Sequence, residues 1–538
     1  MAHILPPGID NATFQNILNE LSEIVGEANV SRDGLSGSLE GPHGQHTYGD
    51  AYVLQPANGR DPSAAVRPRL VSEVQDIVRL ANKYKFPLWT VSRGKNLGYG
   101  GTAPIVRGSV VLDLHRMNKI IEVNEEYAYA IVEPGVSFFD LYNYVQEKRL
   151  NLWPSVPAIG WGSVLGNTLE RGFGYTPNGE HSQQQCGMEV VLPNGEIVRA
   201  GMGAMEGSKT FALFKGGFGP SIDGLFYQSN LGIVTQLGLH LTPAPEHYMT
   251  CEVSVSREED LPFLVSTISD LMRRNIIQNS PSISNVLRQC FFSRDPKVLE
   301  IISPHFGNTC IPETVLAKAQ KQMGCGFWKA QFALYGTVEI VRASWSAIER
   351  NFSRLSGTVL WKKEATNRAG DFLTTMDVGP EEIPHTGIPT LEPLKLLEYR
   401  GPGGGHTCFS PILPPSGREL YAWYLTAKQR TIDAGFDFFA DFHVYARYVI
   451  AIELVVFAPA EGQRCGDLYR NLLEDAVQQG YSEYRTHIDY MDAIASHFDF
   501  NKGALRKYVQ VLKDTFDPNG VISPGKSGIW NSSVSDRA

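Results

Sequence analysis

His406 follows three consecutive glycines in GPGGGHTCFSP, residues 401–411. Glycine runs let the backbone take shapes other residues resist, or come close to another group. A histidine held there is presented to something, though the same residues also fit a surface loop. Two other segments put polar groups on glycine-dense backbone. VSRGKNLGYGGTAP (91–104) sets four glycines, Gly94, Gly98 and Gly101 among them, beside Arg93, Lys95, Asn96 and Tyr99. Consecutive turn amides can form an anion-binding nest, and a cation adds to it. The spacing is neither that of a P-loop nor a GxGxxG opening a helix. GWGSVLGNTLERGFGYTPNG (160–179) places Gly160, Gly162, Gly166, Gly172, Gly174 and Gly179 too densely for ordinary helix or strand. Two such loops fit a long phosphate-bearing ligand, such as a diphosphate cofactor, lying across backbone amides.

GFDFFADFHVYARYV (435–449) alternates cleanly. Phe436, Phe438, Ala440, Phe442, Val444 and Ala446 share one face; Asp437, Phe439, Asp441, His443, Tyr445 and Arg447 share the other. The second face either meets water or lines a cavity. Tyr484 and Arg485 in SEYRTH read, on residue grounds alone, as a helix-start pair.

The elements that must carry these groups are legible in outline. ATFQNILNELSEIVG reads as a helix. Val71, Val74, Ile77, Val78 and Leu80 recur at near-helical spacing, and PLWTV reads as a strand after them. GSVVLDLHRM and AYAIVEPGVSF read as strands, FFDLYNYVQEKRL as a helix, and GMEVVLPNGEIVRAG as a hairpin around Pro-Asn-Gly. From about residue 245 strands and longer helices alternate, as in CEVSVS and LPFLVSTISDLMRRN, which predicts a second α+β domain. ALRKYVQVLKDTF is a helix before a Pro/Gly-rich loop.

Composition narrows the class. The chain has 538 residues, enough for more than one domain, with 57 acidic against 48 basic side chains and a net charge of −9. No basic stripe marks a nucleic-acid binder. Seven scattered cysteines with no CxxC pair indicate neither a zinc site nor a disulfide framework, and no metal site is expected. MAHILPPGIDNATF lacks a secretory pattern, VIAIELVVFAPA is too short for a membrane span, and SVSDRA does not end in the peroxisomal tripeptide. The expectation is an intracellular protein, cytoplasmic or peroxisomal.

RGKNLGYGG, VEPGV, SVLGN, ERGFGYTPNGEH, GIVT and DPNGVISPGKSG occur in one order across residues 45 to 530. Together they resemble the flavin-binding signature of the vanillyl-alcohol oxidase / p-cresol methylhydroxylase family, with the fungal vanillyl-alcohol oxidase type as the nearest likeness. The resemblance implies a two-domain α+β fold with a PCMH-type FAD-binding domain over 1–245 (core about 62–245). A cap over 246–499 is inserted, and a C-terminal segment, 500–538, returns to the first domain. It implies FAD around Arg93, Gly94, Lys95, Asn96, Gly98 and Gly101, and around a second loop of Pro157, Gly162, Ser163, Gly166, Asn167 and Gly174. Glu180, His181 and Ile233 map beside these, and Lys526 maps toward the flavin. His406 falls in a context where relatives carry a histidine bonded to the flavin 8α-methyl, so a covalent histidyl-FAD is expected.

The resemblance also places Tyr99, Tyr484 and Arg485 around a phenol oxygen. Two hydroxyls and a permanent cation would favour the phenolate, which eases hydride loss from the para side-chain carbon. The implied activity is oxidation of para-substituted phenols by hydride transfer to flavin N5 through a p-quinone methide, with O2 reduced to H2O2. Non-phenolic alcohols or hydroxy acids are the alternative substrates; a flavin-binding protein with little turnover is the third reading. Where the fungal pattern has an aspartate near N5, this chain reads VPAIG, with Ala158. Asp441 falls opposite the flavin and is the candidate replacement acid/base. A homodimer or higher homo-oligomer is implied as well.

Overall fold

The computed structural model describes residues 4–33, 41, 42, 44, 47–307, 310–366, 372, 373, 377 and 385–533; the terminal tripeptide lies outside them. In the helix Val71–Tyr84, Val74, Ile77, Val78 and Ala81 are fully buried along one face, as their spacing predicts. The Glu73 side chain accepts hydrogen bonds from the backbone amides of Arg69 and Leu70, which stops the helix from fraying at its start. The helix packs on a four-stranded sheet ordered Val30–Ser31, Ala64–Val66, Val110–Asp113, Leu88–Val91, whose last three strands are parallel. A second, antiparallel sheet is ordered Ile120–Asn124, Tyr129–Val132, Ile233–His240, Gln185–Val191, Ile197–Arg199. Its last two strands are the hairpin expected at Pro-Asn-Gly; Gly195 there has φ +83°, which its lack of a Cβ permits.

The inserted cap is built on an eight-stranded antiparallel sheet. Its path runs Val359–Thr366, His247–Val255, Trp328–Gly336, Ser282–Asn285, Phe439–Val444, Val449–Phe457, Gly405–Phe409, with Ile412–Leu413 also paired to Val449–Phe457. Helices Leu261–Arg273, Val338–Phe352, Gly417–Asp433 and Gly462–Gln478 supply apolar residues to the core on this sheet. After the helix Phe500–Phe516 the chain goes back to the first unit. Ile522 bridges in parallel to Leu88, and buried Lys513 pairs with Asp517 at 2.7 Å while donating to the carbonyls of Asn230 and Ile522. Two α+β domains, one inserted in the other, result. Among the described residues no helix is long and apolar enough to cross a membrane.

Two local expectations change. His406 lies on the strand Gly405–Phe409, paired with Val456, and only the preceding glycines turn. The alternation His-Thr-Cys-Phe, in register with a buried neighbour, outweighs the glycine signal. Asp437 precedes the strand that carries Asp441. It is buried beside Tyr399 and the Ile311 amide, away from the cavity, because the chain has not yet entered the ladder.

Candidate active site

A cavity of about 370 Å³ lies between the two domains, and both of them and the C-terminal segment line it. At one place three polar groups converge. The turn LGYGG is docked on Ile488, whose amide donates to the Tyr99 carbonyl at 3.2 Å. The Tyr99 hydroxyl interacts electrostatically with the neighbouring Tyr484 and Cys408 side chains. The Arg485 guanidinium carbon lies 4.2 Å from the centre of the Tyr99 ring, and its Nη2 donates to Asn96 at 2.5 Å. Buried Arg485 Nε has no protein acceptor. This irregular segment is held from both sides. Gln228 donates to the Tyr484 carbonyl at 2.6 Å, and the Glu483 carboxyl accepts the Ser410 amide at 2.8 Å. Burial, despite Arg485, raises Tyr484 to about 12 and Tyr99 well above its ordinary value. Both therefore stay O–H donors at neutral pH, so a bound oxyanion meets two neutral donors and a cation.

On another part of the wall stands Asp441. Ser284, on the strand Ser282–Asn285, lies directly across the ladder from Asp441. Asn285 then caps the helix Val286–Phe291, its side chain accepting the Arg288 amide at 3.2 Å. One turn past the ladder, Arg288 reaches back and forms an ion pair with Asp441. His443 Nε2 is 3.2 Å from the same carboxylate oxygen. Burial would push Asp441 up, but Arg288 and His443 outweigh it and hold the carboxyl well below the usual range. Ala158 also lines the cavity and adds no acid.

The His406 ring is buried, and its Nδ1 has no partner. Burial lowers it to about 4, so the imidazole is neutral at physiological pH. It packs on Gly98, where φ is +79° and a Cβ would stand 2.9 Å from Nε2. A Cβ at Gly162, which lines the cavity, would meet nothing within 4 Å. An open glycine cradle, an unpartnered imidazole nitrogen and an unpartnered guanidinium N–H fit a flat, anionic cofactor such as FAD.

The cavity brings together most of the residues singled out from sequence: Gly94, Lys95, Asn96, Tyr99 and Gly101 from the first loop; Pro157, Gly162, Ser163, Gly166 and Asn167 from the second; and Ile233, His406, Asp441, Tyr484, Arg485 and Lys526. Others stand behind its wall. Arg93 donates to the Gly135 carbonyl at 2.8 Å, and Gly98 backs His406. His181 bonds Asn167 at 2.7 Å, burial driving it down to about 3; Gly174 packs against it, and Glu180 accepts from Tyr448. Lys526, which lines the cavity, is paired with Glu170 at 2.5 Å.

Arg288, Glu170 and Gln228 carry no sequence signal that marks them as cavity residues. Cys408 could have been found: it is two residues from His406 on one strand, hence on the same face.

Residues 62–201 match the family model described as FAD binding domain. The flavoprotein subunit of 4-cresol dehydrogenase (hydroxylating) from Pseudomonas putida is 36% identical over 533 residues, 98% of either chain. A 4-ethylphenol oxidase from Gulosibacter chungangensis, solved with isoeugenol, superposes with a TM-score of 0.89 at 33% identity, covering 98% of this chain and all of its own. A p-cresol methylhydroxylase solved with substrate bound gives 0.86 at 34%, covering 98% and 99%. These likenesses are bacterial, which replaces the fungal affinity expected from the motifs. The motifs are those the resemblance ties to the cofactor, a task common to all branches, and so do not separate them.

Proposed function

The chain belongs to the family of 4-cresol dehydrogenase and p-cresol methylhydroxylase, which are FAD-dependent oxidoreductases, and from that premise we propose that it oxidises para-substituted phenols. The convergence of Tyr99, Tyr484 and Arg485 carries the reading. Two neutral hydroxyls and a permanent cation around one point recognise a phenolate, and lowering that phenol's pKa loads electron density onto the para side-chain carbon. When bound, FAD supplies the two-electron acceptor for the hydride lost from that carbon. Gly94, Lys95, Gly162, Ser163, Asn167 and Ile233 would hold it, with His406 as the residue of covalent attachment at the 8α position. Asp441 is the proton acceptor, in place of the acid missing at Ala158. Benzylic alcohols give aldehydes, 4-alkylphenols and 4-allylphenols take up water, and O2 is the proposed electron acceptor, yielding H2O2. Assembly as a homodimer or higher homo-oligomer goes with the family likeness.

Support for a hydroxy acid in place of the phenol is weaker. Arg485 is stacked on Tyr99 and shares its point of convergence with two hydroxyls, a donor set for a single oxygen more than for a carboxylate fork. Vanillyl alcohol, eugenol, 4-ethylphenol and a set of 2-hydroxy acids are to be screened with peroxide detection. Turnover of the phenols with about one peroxide per substrate is expected. Bleaching of the flavin by hydroxy acids alone would overturn the reading, and bleaching by phenols without peroxide would remove O2 as acceptor.

A further inference from the structure

Asp441 does not stand alone on its wall. Arg288 pairs with it from the helix Val286–Phe291, and His443 approaches from two positions along its own strand. His443 is fully buried, its ring centre 4.4 Å from that of Phe173 and 5.4 Å from that of Tyr175. The other titratable groups facing this carboxylate are Tyr175 and Cys408, both kept neutral by burial, with His385 beyond His443. Two groups thus lie within ion-pair distance of one carboxylate oxygen in a cavity whose neighbouring walls are aromatic and neutral. Nothing in the anchoring of the phenol requires a charged pair there.

We propose that Arg288 and His443 are positioning residues that keep Asp441 a fixed carboxylate, ready to take the proton of the water that enters at the substrate's oxidised side-chain carbon. The proposal rests on the phenol reading above. The substrate concerned is the p-quinone methide left after hydride loss. In the step, a water lone pair forms the new C–O bond at the exocyclic carbon. The exocyclic π pair moves into the ring and restores the phenolate, which Tyr99, Tyr484 and Arg485 hold. The water proton goes to Asp441 and then to solvent. No electrons are gained or lost.

Without Arg288, the largest of the groups offsetting burial, the Asp441 carboxyl is expected to rise toward the working pH range. The role therefore has a pH signature that a merely structural role lacks. With 4-methylphenol, anaerobic stopped-flow reads flavin reduction, before water enters, and quench-flow reads 4-hydroxybenzyl alcohol, after it. In the unaltered protein the ratio of the two rates is expected to be flat from about pH 5 to pH 8. In Arg288→Met the alcohol step is expected to fall behind flavin reduction by about tenfold or more at the acid end and to recover at the alkaline end, one pKa unit corresponding to about tenfold. Arg288→Lys should restore the flat profile, and Asp441→Asn should be slow in the alcohol step at every pH. A flat ratio in Arg288→Met, or a pH-independent loss of both steps, overturns the proposal. So does normal alcohol formation in Asp441→Asn. If 4-methylphenol fails to reduce the flavin even in the unaltered protein, the phenol reading itself has failed and takes the proposal with it.

Discussion

A Cβ at Gly98 would stand 2.9 Å from Nε2 of His406 and 3.0 Å from the His406 carbonyl oxygen, and the glycine sits at φ +79°. An alanine there would be strained on both counts, in backbone conformation and in contact. The neighbour cannot yield easily, because His406 is anchored in a ladder with Val456. The neutral imidazole, its Nδ1 unpartnered, is the form that can bond to carbon; above about pH 4 nothing in the site charges it. If His406 carries the flavin, acid precipitation of the unaltered protein should give a yellow pellet, and His406→Ala a colourless one over a yellow supernatant. Gly98→Ala should leave most of its flavin in the supernatant while still binding it. A colourless pellet from the unaltered protein would show that His406 stands beside the flavin without bonding to it.

The strand Val449–Phe457 shows how one element serves the site and threatens stability together. Ile452 and Leu454 face the cavity, so Glu453 must face the opposite way, into the core beside Thr431. Its carboxyl is 1% exposed, and burial raises it to about 8, Thr431 offsetting only part of that. The sign follows from linkage. A folded-state pKa above the unfolded value of about 4.3 means that the folded chain binds the proton more tightly. The stabilisation is complete below the unfolded pKa and is lost as pH rises through about 8. Glu453→Gln keeps the shape and removes the titration. The stabilities of the two proteins, read from thermal unfolding, should therefore begin to diverge just above the unfolded pKa, at about pH 5, and the gap should level off above about pH 8 with the variant ahead by on the order of a few kcal/mol. Parallel midpoint curves across that range would mean that Glu453 is paired or hydrated in solution.

At the scale of the molecule, the cavity exists only because distant parts of the chain meet. Tyr99 and Ala158 come from the first domain, Asp441 and His406 from the cap, and Lys526 from the returning C-terminal segment. Glycine-dense loops and the alternating strand were readable in advance because their signals are local: turn residues, period two and fixed spacing. So were the helix-then-strand unit at Val71–Val91 and the change of texture near residue 245. Arg288 was not readable, since its approach to Asp441 depends on Ser284 lying opposite Asp441 in a ladder between segments far apart in sequence. The pairing of Lys526 with Glu170 spans 356 positions and was hidden for the same reason. Asp437, on the same formal face as Asp441, was misread because alternation does not say where a strand begins. This division predicts how the cofactor acts on stability. A ligand touching all three parts binds the folded molecule and not the unfolded chain, so it stabilises by mass action, by about 2.7 kcal/mol at a hundred times its dissociation constant. His406→Ala, which can carry no covalent link, allows flavin to be removed and returned. Its apoprotein should melt below the FAD-loaded form, and FAD in excess should raise the midpoint by several degrees. FAD that leaves the midpoint unmoved would show that this cavity is not where the cofactor lies.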